Sequence, residues 1–487
     1  MRTRFKGATV LATLVTGALM LTGCGGPSAP VSGGGGGAAG GAPSAAPATG
    51  GAGQSAASTT VNTNSGVSTM SGTAPAGAKT ITFWQQQFEP YQQAWFKKEI
   101  SKFNSSQTKV HVNYVVVPVD VWDTKLKAAQ AAGTQPDVAT TNYGSIIDGV
   151  SQGKFADLDG LIPADAFADV KDNVKSFITV GGKHYAYPML VEPSTVLYYR
   201  TDLVKAAGLD PTKPPTTWDQ LITWAQKLTT GKVKGMTIAS TSADLTWSSW
   251  GLQYNACGHL PISDDWSKAE ATDPCYDKLL QFYQTLFQKK YIPQQPKVGY
   301  PDATPYVNGE VAMMADGSWA VGQIKDSKKP NLLKNTMVAP FPSVDGDPTK
   351  PTATLGGWTL TVDSKSKDQQ GAADFIHWLL AGDPQIMASF FKDSGFSKFT
   401  VRTSVDKALA ATPEASNDPF MKTISDKIVK YGKQEPGYPI DISKAMGDAI
   451  ESAMKGKADI KSSLSTANTQ IQRVIQQQQL AGKNAGG

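Results

Sequence analysis

The stretch 80-TITFWQQQF-88 alternates apolar and polar residues and then breaks on glutamines, as a strand does where it runs out of core at its carboxyl end. Phe96, Ile100 and Phe103 follow at i, i+4 and i+7, one face of a helix. Next, 109-KVHVNYVVVP-118 reads as a second strand and 121-VWDTKLKAAQAAG-133 as a helix closed by Gly133. The short apolar piece 136-PDVATT-141 is a third strand. Strand, helix, strand, helix, strand predicts an α/β fold with a parallel, helix-flanked sheet. Such sheets bind ligands at the carboxyl ends of their strands, where Trp84, Gln85 and Tyr143 fall.

Downstream, residues 79 to about 480 are too many for one ordinary core, so two lobes are expected. In 213-KPPTTWDQLITWAQKLT-229, Thr217 and Gln220 fit a capping box, and Trp218, Leu221, Ala225 and Leu228 follow helical spacing. Trp218 is accordingly a core residue, and Trp95 and Trp224 read the same way. The chain from about Asp418 to Gln479 is mostly helical, and residues 481–487 are expected to fray.

Upstream of the lobes there is no fold to read. Arg2, Arg4 and Lys6 precede a short apolar run, Ala8 to Leu21, which suits a secretory signal better than a membrane span of about 20 residues. It ends in Leu21-Thr22-Gly23-Cys24, which resembles a bacterial lipobox, with residues 1–23 removed and Cys24 carrying the lipid. From Gly7 to Ala78 there is no Asp, Glu, Lys or Arg, and Gly, Ala, Ser, Pro and Thr dominate after Cys24. That composition buries too little apolar area to fold. Residues 24–78 are therefore expected to be a flexible linker with a reach of roughly 40 Å. Lipidation would anchor the chain to a membrane without spanning it.

Without Arg2, Arg4 and Lys6 the net charge of +5 falls to +2, and no basic stripe remains for nucleic acid. Beyond Cys24 the cysteines are Cys257 and Cys275. In an exported protein two leftover cysteines 18 apart most simply pair. His259 is the only histidine near them, so neither a metal site nor a cofactor is expected.

Five further stretches carry a resemblance. 133-GTQPDV-138 looks like a turn into a third strand, and 181-GGKHYAYPMLVEPSTVLYYRTDLVKAAGLD-210 like a hairpin, a hinge and a helix. 214-PPTTWDQL-221 is a Pro-x-Thr-Trp-Asp-x-Leu signature, 308-NGEVAMMADGSWA-320 a strand, loop and helix start, and 355-LGGWTLTVDSKSKDQQGAADFIHWLL-380 a second hinge with its helix. In this order they resemble the extracellular solute-binding proteins of bacterial ABC importers, in the sugar-binding family that includes maltodextrin-binding proteins. One departure stands out: 396-FSKFTVRTS-404 lacks the proline-containing segment expected before Arg402.

The resemblance implies two α/β lobes of the periplasmic-binding type that close like a jaw. One lobe would comprise 79–192 and 354–398, the other 193–353 and 399–480, with crossings near Val191–Thr195, Thr352–Gly356 and Ser397–Thr400. It also implies a carbohydrate cargo, handover to permease subunits, a monomeric state, and residence on the outer face of a cell membrane.

A sugar ring offers two apolar faces and a belt of hydroxyls, so its site needs flat aromatics beside carboxylates and amides. Trp319 with Asp316 supplies both. So does Trp358, where Gly357 and its neighbouring glycine let the backbone come close to a ligand. Trp84 with Gln85, Asn142 with Tyr143, Glu192, Trp247 and Trp250 are further candidates; Glu89, Tyr91 and Arg402 are weaker ones. Asp316 could equally cap a helix starting near Ser318. A secreted glycoside hydrolase and a sensor for a non-sugar cargo are the alternative readings. The hydrolase has little behind it: the histidines, at 111, 184, 259 and 377, form no H-E-x-x-H, and there is no G-x-S-x-G elbow. The chain is thus expected to be a binder and no enzyme.

Overall fold

The computed structural model describes residues 58–62 and 67–484 of the 487-residue chain. The signal segment, Cys24, the linker up to residue 57 and the last three residues lie outside the described residues. Among those described, no helix is long and apolar enough to cross a membrane.

Two strands precede the first one expected: β1 (Ser58–Asn62) and β2 (Val67–Ser71), an antiparallel pair. Both fall inside the stretch assigned to the linker. β3 (Lys79–Gln86) follows, then α1 (Pro90–Ser106), β4 (Val110–Val117), α2 (Trp122–Ala132) and β5 (Val138–Asn142). β3 lies parallel to both β4 and β5, as the alternation predicts. Ile81, Phe83 and Gln85 face the core from β3, and α1 covers them with Trp95, Phe96, Ile100 and Phe103. Gly133 closes α2 at φ 67°, where a glycine is least strained.

The sheet is mixed beyond that unit. β2 pairs antiparallel with β4, and the strand Thr354–Val362 pairs antiparallel with both β5 and Tyr187–Pro193. A second sheet holds Lys234–Thr237, Val311–Asp316, Val196–Arg200 and Thr336–Ala339, in that order. Each sheet has its own core. Phe83, Tyr114, Tyr187, Leu360 and Phe375 belong to the first. The second sheet packs into two cores, one holding Trp218, Tyr276, Phe282 and Met446 and the other Tyr198, Tyr306, Met314 and Ile424.

Trp95, Trp218 and Trp224 are buried, as their spacing implies. Thr217 caps its helix by accepting from Gln220 N–H, but Gln220 reaches back to Thr216 N–H, one residue earlier than the capping box expected. Cys257 and Cys275 are joined in a disulfide. Both sulfurs beside His259 are therefore engaged, which removes them as metal ligands.

Two boundaries differ from expectation. The lobe change placed at 398/399 comes later, because Phe399 exchanges backbone hydrogen bonds with Val191 in both directions, at 2.9 and 3.0 Å. The chain thus continues along the first lobe, and Val401, Val405 and Leu409 pack into its core. Met421 and Ile424 are the next residues to join the other lobe. At the far end, residues 481–484 are held, with Gly482 N–H donating to Asp265 O at 2.7 Å and the Asn484 amide to Asp264 O.

Candidate functional site

The strand Val311–Asp316 ends in a wholly buried aspartate, and the chain then turns through Gly317 and Ser318 to Trp319. Gly317 is where the turn becomes possible. A Cβ there would lie 2.0 Å from the Trp319 ring, so only glycine lets the indole fold back over its own strand end. Asp316 Oδ1 accepts from Gly317 N–H at 2.8 Å, and burial pushes the carboxyl up while Gly317 N–H and the Trp319 indole oppose it. Asp316 caps its own turn and not the helix beyond it.

Around Trp319 stand Trp247, with ring centroids 6.1 Å apart, and Tyr300 at 6.4 Å. The Trp247 and Tyr300 rings meet edge to face at 5.4 Å. Tyr300 is tied down by donating to Ser194 O at 2.8 Å. Aromatic groups at these distances form an amphipathic wall with few rotamers to lose.

The first lobe contributes charge. Lys398 Nζ lies 2.6 Å from Glu192 Oε2, 3.5 Å from Glu89 Oε1 and 5.9 Å from the centre of the Trp319 ring. Trp319 comes from the second sheet's lobe and Glu89 from the first, so these contacts bridge the lobes. Burial alone would neutralise Lys398, but Glu192 and Glu89 outweigh it and hold the ammonium charged. Glu192 moves the other way: burial raises its pKa, and Lys398 only partly opposes that. Tyr91, beside them, is pushed up to about 12, chiefly by burial.

The hinge strand Thr354–Val362 completes the cleft. Gly356 lies opposite Glu192 and Gly357 opposite Val191. A Cβ on Gly357 would meet Leu190 O at 2.2 Å, at a φ of 146°, and one on Gly356 would meet Glu435 Oε1 at 1.8 Å. Both glycines are required by close approach. Burial, followed by repulsion from Glu192, pushes Glu435 up to about 8 against a hydrogen bond from Gly144. Trp358 is half-buried, packs on Phe88 at 4.5 Å and helps to hold Glu192 charged.

The structure therefore brings together Glu192, Asp316, Trp319, Trp247, Gly357 and Trp358, with the weaker candidates Glu89 and Tyr91. Tyr143 lies beneath them, its hydroxyl donating to Leu190 O at 3.1 Å. Asn142 is exposed and caps a turn through Ser145 N–H. Gln85 is buried, accepts from Tyr114 OH, and keeps its amide nitrogen unpartnered.

Three candidates are corrected. Trp84 alternates to the opposite sheet face from Phe83 and lines a surface hollow with Val115, Lys125 and Ala129. Trp250 is a core residue whose indole N–H donates to Ser443 Oγ at 2.8 Å. Arg402 is buried, donating to Asp169 Oδ2 at 2.7 Å, Leu380 O at 2.6 Å and Gly382 O at 2.9 Å. Its guanidinium is engaged on three sides, and the Ser404 hydroxyl, followed by Arg402, holds the Asp169 carboxyl below the usual carboxylate range against the effect of burial.

Phe88, Tyr300, Lys398 and Glu435 were not foreseen. Lys398 had a signal: a lone lysine in the mostly apolar run 396-FSKFTV-401, four residues before the arginine that drew attention instead. Glu435 had none.

A family model described as bacterial extracellular solute-binding protein matches residues 89–386. Among curated relatives, a probable ABC transporter-binding protein of Deinococcus radiodurans is 32% identical over 245 residues, 47% of this chain and 55% of its own length. The sn-glycerol-3-phosphate-binding periplasmic protein UgpB of Escherichia coli K12 is 29% identical over 222 residues, 42% of this chain and 47% of its own. The chain thus spans about half the length of the curated relatives it matches. Among solved structures, the cyclic alpha-maltosyl-1,6-maltose binding protein of Arthrobacter globiformis has a TM-score of 0.62 at 26% identity, over 82% of this chain and all of that one. The fold is the two-lobed, maltose-binding-protein-like arrangement.

Proposed function

From the premise that the chain belongs to the bacterial extracellular solute-binding proteins, matched over 89–386, we propose that it captures a carbohydrate of oligosaccharide size between its lobes. It then delivers that cargo, chemically unchanged, to the permease of an ABC importer, as a monomer held to the membrane by a lipid on Cys24. The observation that carries this reading is the aromatic wall of Trp319, Trp247 and Tyr300, set against the polar groups of Asp316, Glu192 and Lys398. Flat faces serve the C–H surfaces of a sugar ring, and the polar groups serve its hydroxyls.

A thermal-shift screen of the purified full chain against mono-, di- and oligosaccharides tests the reading, with calorimetry on each hit and chromatography of the incubated sugars. A true cargo at 100 times its dissociation constant stabilises the fold by about 2.7 kcal/mol. One class of saccharide that raises the melting temperature and is recovered intact supports a carrier. No shift across the panel removes the carbohydrate reading, and cleavage products remove the carrier reading.

A further inference from the structure

We propose that Cys257, Cys275, His259 and Asp273 form a redox-gated zinc site, closed while the disulfide is intact and open to the ion once it is reduced. None of these residues lines the cleft, so the inference is independent of the cargo. The helix Trp250–Cys257 ends at Cys257, Gly258 at φ 79° turns the chain to His259, and the helix Cys275–Gln288 begins at the other cysteine. The two sulfurs and a ring nitrogen of His259 all lie within 4.8 Å of one another.

The imidazole is the second observation. Its Nδ1 stands 2.8 Å from Leu260 O, which can only accept, so Nδ1 carries a proton and the lone pair of the neutral ring lies on Nε2. A backbone carbonyl on the far nitrogen is a usual way of orienting a metal-binding histidine. Asp273 Oδ2 lies 3.3 Å from Nε2. With bonds of about 2.0–2.1 Å to nitrogen and oxygen, a tetrahedral zinc ion spaces two such ligands about 3.4 Å apart. Two thiolates, an imidazole and a carboxylate are a donor set that suits this ion. The frame does not rest on the disulfide alone. Tyr276 OH donates to His259 O at 3.0 Å, Cys275 N–H to Asp273 Oδ1 at 3.2 Å and Tyr276 N–H to Asp273 O at 3.0 Å. Both cysteines and His259 are half-buried, within reach of a small dithiol and of an ion. One thiolate of the dithiol attacks a sulfur of the pair, and its second thiolate then closes the reductant's own disulfide and releases the chain's other sulfur. Zinc replaces the two thiol protons, which leave to solvent.

Metal titration of the full chain decides the matter, with Cys24→Ser in place so that only this pair supplies thiols. The chain is reduced with dithiothreitol, desalted under nitrogen and titrated with Zn²⁺ against a chromophoric chelator, while Co²⁺ serves as the spectroscopic probe. The reduced chain is expected to take up one Zn²⁺, on the order of a hundredfold or more tightly than the oxidised chain does. Its Co²⁺ form should show sulfur-to-metal charge transfer and the visible bands of a tetrahedral ion. His259→Ala and Asp273→Asn should each weaken Zn²⁺ binding by about tenfold or more. No uptake by the reduced chain overturns the inference, and so does equal binding by the oxidised one, which would mean a carboxylate site on the surface. A cobalt spectrum without sulfur charge transfer, or affinity indifferent to His259→Ala, overturns it as well. Near-UV dichroism recorded during the titration covers the case in which reduction loosens the fold. Metal that restores the native signal supports the site, and metal taken up by thiols while that signal stays absent overturns it.

Discussion

Replacing Glu435 by glutamine tests the electrostatic account of the cleft in one titration. The carboxyl sits over Gly356, and its pKa is raised from 4.5 to about 8, first by burial and then by Glu192. Between those values the folded chain keeps a proton that the unfolded chain has released. Wild-type stability therefore falls as pH rises through that window and levels off above it. At about 1.36 kcal/mol for each tenfold in proton affinity the ceiling is ~5 kcal/mol, and relaxation of the site brings the expected loss to roughly 2–3 kcal/mol. Glutamine mimics the neutral acid and carries no such slope. Urea unfolding of both proteins at pH 5, 7 and 9 should then show near-equal stability at pH 5 and a variant ahead by roughly 2–3 kcal/mol at pH 9. Because Glu192 and Glu435 repel each other, the difference between the two proteins reports the coupled pair. A gap that stays constant with pH, or a wild type that gains on the variant as pH rises, would refute the reasoning.

Trp319→Ala should weaken saccharide binding at least tenfold by calorimetry while the chain still folds, since one stacked aromatic is worth a few kcal/mol of binding at an interface. Arg402→Ala should behave oppositely: it leaves Asp169 and two carbonyls without their donor, so a stability loss of about 3 kcal/mol is expected in denaturant titration. Cargo affinity should stay within twofold, and a larger loss of affinity would return Arg402 to the site. Opening the 18-residue Cys257–Cys275 loop by a double serine substitution should lower stability by about 3 kcal/mol, read as a lower denaturant midpoint.

How far the sequence reached depends on the range of each interaction. The unit from β3 to β5 was legible because its period, its turn at Gly133 and its helix faces are all local signals. Trp319 was legible because the break before it is local too, although the reason for Gly317 is visible only once the ring is seen lying over it. Glu192 and Lys398 stand 206 residues apart and meet only through the pairing of two hinge segments, which no periodicity encodes. Trp84 and Phe83 are adjacent in sequence, yet the pleat sends them to opposite faces, and a motif of aromatic plus amide does not say which face holds the cleft. Arg402 misled for the reverse reason, since a guanidinium beside an apolar segment reads equally as a ligand group or as an internal brace.

The hairpin of β1 and β2 bears on how the molecule behaves in a crowd. Without β2, the outer edge of β4 would offer a row of free amides and carbonyls to any neighbour, the usual template for sheet-to-sheet adhesion. With the hairpin in place, the sheet ends on a five-residue strand of sequence Ser-Thr-Thr-Val-Asn. An edge this short offers a neighbouring copy few backbone groups to pair with. The hairpin thus works against self-association through this edge of the sheet.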